Sequence, residues 1–343
     1  MTKTIERVTL DTASELDAFV MSHPKCHYMQ TSIYGRSRPD YNWEGLILRD
    51  GDGTIRATMA LQSRNVSHTK WKLFYSPRGP VCATIEEFND MIAAAKEFCT
   101  KNNGYLLRID PAFLASDDAF RANAEALGFY IDPRDDYSTF IARKVYVTDL
   151  EGESEESLLA KFHSKTRYNI RLSQRRGVTL REGTVEDVPV FTEMMRQTAG
   201  RDGFHARSED HYRDMLTTFA GYTTMLLAEK DGKVLAGVIL LIMGGKAWYV
   251  YGCSFNEGRE NMPNFLLQWE MIRRGIAAGC RIYDFRGVEG EPVPENPHYG
   301  LHRFKQGFNA RFVEYIGQMD LTLNPTAFKL IAGIQKVKGL LRR

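Results

Sequence analysis

The stretch LILRDGDGTIRATMAL, residues 46–61, lies without a gap over MLLAEKDGKVLAGVIL, residues 225–240, and this pairing decides how the chain is read. Each copy is an apolar run, a turn with an Asp-Gly pair and a second apolar run, the pattern of a β-hairpin. The likeness continues in order. A strand follows, KLFYSPRGPV or AWYVYGCS, with Tyr75 or Tyr251 where small residues and turns begin. Next comes a helix, FNDMIAAAKEFCTKNNG with its break at Gly104 or NFLLQWEMIRRGIAAG with its break at Gly279. A short strand, YLLRIDP or CRIYDFRG, precedes a Gly-Phe and a further strand, at Gly128 and Gly307, whose offset equals that of the hairpins. Five elements in one order point to duplication. The unit predicts an α/β chain (α+β type) of two tandem domains with mixed, largely antiparallel sheets. The expected bounds are 1–147 and 148–317, with 318–343 a basic amphipathic helix packing back on the body.

Composition agrees with two domains: 343 residues exceed one ordinary core, and 43% hydrophobic with 26% charged residues is globular. Lys and Arg number 45 against 43 Asp and Glu, so any site for a polyanion must be local. The N-terminus, MTKTIERVTLDTASELDAF, has no apolar signal core, and the most apolar run, residues 234–243, is too short to span a bilayer. A cytoplasmic chain is expected. Cys26, Cys82, Cys99, Cys253 and Cys280 are far apart without a CxxC pair, which predicts reduced core thiols and no metal site.

KFHSKTRYNIRLSQRRGV, residues 161–178, concentrates positive charge: Lys161, Lys165, Arg167, Arg171, Arg175 and Arg176. Ser154 with Glu155 and Glu156 reads as a helix start and Gly177 as its stop. Within it, Leu159, Phe162, Thr166 and Ile170 would form one buried face, with the cations opposite. A solvated face is one reading. The other is a polyanion surface, because no acidic partners follow Glu156 and like charges repel unless phosphate neutralises them. Tyr168 and Asn169, among the cations, would add stacking or hydrogen bonds. At the C-terminus Leu330, Ile334, Val337 and Leu341 form a stripe expected to pack on the body; Lys329, Lys336, Lys338, Arg342 and Arg343 beside it keep a peripheral contact with the cytoplasmic membrane face as the alternative.

In order, KFHSKTRYNIRLSQRRGV, YVYGCS, MPNFLLQWEMI, IYDFRGV and GLHRFKQGF followed by EYIG resemble the FemABX family of peptidoglycan bridge-forming aminoacyltransferases. QTSIYGRSR, FYSPRGPV and LLRIDP extend the resemblance through the first half. It implies two domains with the fold of GCN5-related acetyltransferases. It also implies transfer of an amino acid from aminoacyl-tRNA to the side-chain amine of a diamino acid in a precursor stem peptide. The acceptor that the resemblance implies is the UDP-N-acetylmuramoyl pentapeptide or its lipid-linked form. The resemblance implies aminoacyl-tRNA as co-substrate and no cofactor, and a monomer is expected. Residues 173–182 run straight on, leaving no room for the helical arm of larger members, so the chain resembles a compact FemX-like member.

Transfer from an ester to an amine needs placement, a deprotonated amine and donors near the oxyanion, but no covalent nucleophile. Lys305 matches the family lysine credited with steadying the tetrahedral oxygen or the tRNA end, with Phe304 beside it. Asp110, at a strand end, would orient the amine or accept its proton; an Asp-Pro turn is the plainer reading. Diphosphate recognition falls to Arg38 or Arg36, where the family has a lysine, and to Arg207. Tyr212, Tyr249, Tyr251 and Tyr105 complete the implied substrate residues. The cations of residues 161–176 are the expected tRNA surface. Two alternatives remain. An acetyl-CoA-dependent N-acetyltransferase of this fold normally carries Q/R-x-x-G-x-G/A, which Gln174-Arg175-Arg176-Gly177 begins but does not finish. A non-enzymatic RNA-binding protein would need the basic helix alone.

Overall fold

The computed structural model describes residues 3–134 and 141–341, and side chains as far as Ile334 in the last helix. The first half forms β1 (Thr4–Val8), α1 (Ser14–Ser22), α2 (Ser32–Arg36), β2 (Asn42–Arg49), β3 (Ile55–Asn65), β4 (Lys72–Ser76), β5 (Val81–Cys82), α3 (Ile85–Lys101), β6 (Gly104–Ile109), α4 (Asp118–Ala126) and β7 (Tyr130–Ile131). The second forms β8 (Lys144–Asp149), α5 (Glu155–Lys161), α6 (Ser164–Arg175), β9 (Thr179–Gly183), α7 (Val188–Asp202), α8 (Glu209–Thr218), β10 (Thr223–Lys230), β11 (Lys233–Met243), β12 (Lys246–Ser254), α9 (Pro263–Ala277), β13 (Ile282–Val288), α10 (Tyr299–Gln306) and β14 (Arg311–Glu314). β15 (Met319–Thr322) and α11 (Pro325–Leu341) end the chain.

The repeat predicted from the hairpins is visible in the two sheets. One runs β1-β2-β3-β4-β6-β15-β7, with β5 on β3, and the other β9-β10-β11-β12-β13-β8-β14. Both hairpins, β2–β3 and β10–β11, are antiparallel, and in each sheet one parallel pair, β4–β6 or β12–β13, is joined through a crossover helix, α3 or α9. In α3, Phe88, Met91, Ile92, Ala95 and Cys99 recur at helical spacing and bury against the sheet, behind a Thr84–Glu87 capping box. In the second sheet α9 covers one face and Phe191, Met194 and Met195 of α7 the other. All five cysteines are buried free thiols.

The domain bounds need correction. One compact unit is Lys144–Val313, and the other joins the chain before it to the chain after it. β8 crosses the expected boundary at 147 yet lies wholly in the second sheet, between β13 and β14. The tail expected to be helix alone starts with a strand: β15 inserts between β6 and β7, pairing Met319 with Ile109 and Leu321 with Leu107. Arg108 and Asp320 seal that pairing with two hydrogen bonds of 2.7 Å. Each sheet thus takes one strand from outside its own repeat.

The packing of α11 also departs from expectation. Ala327 and Ile331, 2% and 1% exposed, seat the helix on Tyr105 and Leu106, because the small Ala327 lets its backbone approach. The predicted stripe is turned outward, with Leu330 57% and Ile334 37% exposed. Val337, Leu341, Lys336, Lys338, Arg342 and Arg343 have side chains outside the described residues.

Removing β15 would leave β6 with an unpaired edge and strip the cover from Tyr105. A chain ending at Val313 is therefore expected to aggregate or lose the cooperative unfolding transition of the first unit; a soluble truncated chain with an unchanged melting temperature would contradict this.

Candidate active site

The basic stretch is two helices rather than one. Phe162 leaves α5 in an extended conformation (ψ 150°) and drives its ring edge-on against Trp269 and Phe308, 5.4 and 5.3 Å between centroids. His163 then caps α6, its Nδ1 accepting from the Lys165 N–H at 3.2 Å, while its own N–H donates to the Gly307 carbonyl at 2.9 Å. Gly307 is required: a Cβ there would lie 2.3 Å from Thr166 Oγ1. The buried face uses Leu158, with Phe162, Thr166 and Ile170, while Leu159 is half-buried. Asn169, expected among the cations, is buried. α6 runs on to β9 with no inserted arm.

This docking opens a cleft of about 480 Å³ whose walls include His163, Lys165, Phe265, Tyr299, Arg303 and Phe304. Phe265 and Phe304 meet edge to face, centroids 5.1 Å apart. Lys305 takes another direction. It is buried, and its Nζ donates to the Gly287 and Arg286 carbonyls at 2.7 and 3.2 Å. Burial lowers its pKa to about 7; the Asp284 carboxylate opposes the shift and the Arg286 guanidinium adds to it. Both carbonyls face it because β13 and β8 slip register between Asp284 and Gly287, and Arg286 takes a left-handed φ of 64° with its N–H on Asp284 Oδ1 at 2.6 Å. Behind α10 the buried His302 bridges Tyr146 Oη and the Glu289 carbonyl, each at 3.1 Å. His163, His302, Arg303 and Asp284 escaped the sequence reading, although GLHRFKQGF contains two of them.

Outside, Arg167, Arg171 and Arg175 follow one another at single-turn spacing beside the exposed Tyr168, with the Arg175 guanidinium 5.6 Å from its ring. Among the described residues no carboxylate pairs with Lys165, Arg171 or Arg175. Arg167 partly turns inward, donating to the Ala160 and Phe162 carbonyls. Two of the expected cations do have partners: Lys161 pairs with Glu153, upstream of the helix start, and Arg176 donates to the Glu260 carbonyl.

Tyr249 and Tyr251 do not share a face. β12 carries an irregularity against β11: Ile239 pairs with Tyr251 but Leu240 with Tyr249, so Val250 is extra and the alternation inverts. Tyr249 packs into the α9 side, where burial pushes its phenol up. Tyr251 lies on the α7 side, its Oη 2.7 Å from His211 Nε2 and its ring edge-on to Tyr212 at 5.2 Å. Tyr212 Oη accepts from the Arg207 N–H at 3.1 Å, and the Arg207 side chain is exposed. Tyr251, Tyr212, His211 and Arg207 thus form one group.

The first unit holds the rest. Asp110 is buried, with Oδ2 accepting from Tyr75 Oη at 2.6 Å and Oδ1 from the Arg78 N–H. Burial raises its carboxyl to about 6. Its two oxygens tie the end of β4, at Tyr75, to the loop that follows, at Arg78. Arg36 donates to the Leu10 carbonyl and pairs with Asp11 at 3.2 Å, whereas Arg38 lies 4.9 Å from the Tyr41 ring. Arg64, which the sequence reading passed over, lies 5.6 Å from the same ring. Tyr105, expected at substrate, is covered by α11 instead.

Comparison with known proteins fits this geometry. The FemAB family model matches residues 12–233 and 227–336. The lipid II:glycine glycyltransferase of Staphylococcus aureus strain USA300 is 25% identical over a 409-residue alignment covering 94% of each chain; that of strain Mu50 is equally similar. The crystal structure of FemX superposes with a TM-score of 0.85 at 24% identity, over 96% of this chain and all of that one. A tandem GNAT protein from the clavulanic acid pathway superposes at 0.56 with 12% identity, over 94% and 99%, and shares the fold. With its two repeats, its compact second unit and a family match across most of its length, the chain belongs to the FemAB family.

Proposed function

We propose that this protein transfers an amino acid from aminoacyl-tRNA to the side-chain amine of the diamino acid in a peptidoglycan precursor stem peptide. The observation that carries the reading is the continuity of the cleft with a cationic track: Lys165 lines the cleft, and Arg167, Arg171 and Arg175 continue along α6. A phosphate backbone on that track would bring its terminal ester toward Phe265 and Phe304. The relatives named as lipid II:glycine glycyltransferases support a lipid-linked acceptor. On this reading Arg207, grouped with Tyr212, His211 and Tyr251 in the second unit, is a diphosphate contact; Arg38 in the first unit is a separate candidate.

The amine nitrogen attacks the ester carbonyl, giving a tetrahedral oxyanion. The bond to the terminal ribose oxygen then breaks, the amide forms, and the amine proton passes to the departing oxygen. Lys305 spends two of its N–H bonds on the Arg286 and Gly287 carbonyls; held on α10 beside the cleft, its protonated form supplies positive charge toward the oxyanion rather than a direct hydrogen bond. Acyl-CoA chemistry finds less support. At α3 the carboxylate of Glu87 already takes the Ala83 and Thr84 N–H groups, and α9 starts with Pro263, which has no N–H to offer a diphosphate.

Incubation with bulk charged tRNA and either the UDP-linked or the lipid-linked precursor should add the mass of one or more amino acids to the acceptor; no gain on either, across all charged amino acids, would overturn the proposal. Replacing Arg171 and Arg175 with Gln should raise KM for tRNA about tenfold and flatten its salt dependence, with kcat nearly kept. The pH response follows from Lys305. An unfolded lysine titrates near 10.5 and the folded one near 7, so between those values the unfolded chain holds the extra proton and this residue's contribution to stability rises with pH. Its charge is lost above about 7, so single-turnover transfer should fall there. Lys305→Arg, always charged, should lack that falling limb, and Lys305→Met should be slower by about 10²–10³ at every pH. A Lys305→Arg profile identical to wild type would contradict the role.

A further inference from the structure

From the first unit we infer that α11 and the β3–β4 hairpin form a docking face for an anionic lipid bilayer. The inference concerns a surface apart from the proposed active site and needs no property of the transfer reaction. α11 presents two sides. Ala327 and Ile331 are spent on Tyr105 and Leu106, with Val66, Trp71 and Leu73 of the hairpin packed around them. Leu330 and Ile334, one turn apart, remain 57% and 37% exposed, and the sequence repeats their spacing at Val337 and Leu341. A helix already fixed to its own domain has no folding reason to keep branched apolar residues on a second side.

The surrounding charge indicates what covers them. Neither residues 62–76 nor residues 323–343 contain a single Asp or Glu. The described cations are Arg64, Lys70 and Lys329, all exposed, and the half-buried Lys72; Lys336, Lys338, Arg342 and Arg343 follow in the sequence. The nearest acid before α11, Asp320, is taken by Arg108. Exposed apolar residues on an acid-free, cation-bearing helix packed beside an acid-free, cation-bearing hairpin match the boundary between acyl chains and anionic headgroups, where the apolar side enters and the ammonium groups stay at the phosphates. No helix among the described residues is long and apolar enough to cross a membrane, so the contact is peripheral.

The test uses the full chain and vesicles free of any precursor: phosphatidylcholine alone, or mixed with phosphatidylglycerol. Wild type should sediment with the anionic vesicles, release as salt is added, and show a blue shift from Trp71 beside α11. Leu330→Ser with Ile334→Ser should weaken binding about tenfold or more. Lys70→Gln and Lys329→Gln should each weaken it about fivefold. All should keep the wild-type melting temperature. No sedimentation at low salt, or equal binding by the Ser pair, would overturn the inference. Binding of bare RNA or self-association that these variants abolish, without vesicle binding, would assign the face elsewhere and overturn it too.

Discussion

The insertion of β15 between β6 and β7 is the interaction on which the first unit depends. Four backbone pairings and the Arg108–Asp320 pair join residues 106–109 to residues 319–322. Because the last strand of the chain completes the first sheet, that unit forms only after both repeats have been made. The cost is a loop closure of some two hundred residues, which grows only logarithmically with length, roughly (3/2)RT ln n. The return is a closed sheet core and a fixed start for α11.

The mirror-image event shapes the second unit. β8, drawn from the chain before the second repeat, pairs with β13 and slips register at Asp284–Gly287. That slip turns the Arg286 and Gly287 carbonyls toward Lys305, and Lys305 in turn holds α10. Gly307, just past α10, receives the His163 N–H and lets Thr166 come close, which places Lys165 on the cleft and the arginines outside it. Strand exchange, helix anchor, cleft and cationic track therefore form one chain of dependence. The desolvation that brings Lys305 near neutrality comes from the same closure.

Much of this was legible in the sequence because repetition is a strong signal. The hairpins at 46–61 and 225–240, the crossover helices and the Gly-Phe pairs all fell where expected. What was not legible was partnership. Nothing local in MDLT tells whether that strand serves the nearer or the farther sheet, and β8 reads equally well as the end of one domain. Tyr249 and Tyr251 alternate in sequence, yet one extra residue at Val250 separates them onto two faces. The break at Phe162 was hidden because a buried aromatic suits helical periodicity as well as a turn does. Leu330 and Ile334 looked like a core stripe, and only the seat of Ala327 on Tyr105 shows that they are not. Among site residues, Lys305 and Phe304 stand in a distinctive motif, whereas nothing local shows that Asp110 holds Tyr75 and the Arg78 N–H or that α11 covers Tyr105.

The central claim is that the reactive end of a charged tRNA enters the cleft between α6 and α10. The most direct measurement is photo-crosslinking from a tRNA with a photoreactive group on its terminal nucleotide, followed by peptide mapping. The account predicts adducts within residues 163–166 and 299–307, lost in Phe304→Ala. Adducts confined to the first unit, or to the Arg207–Tyr212 region, would contradict it.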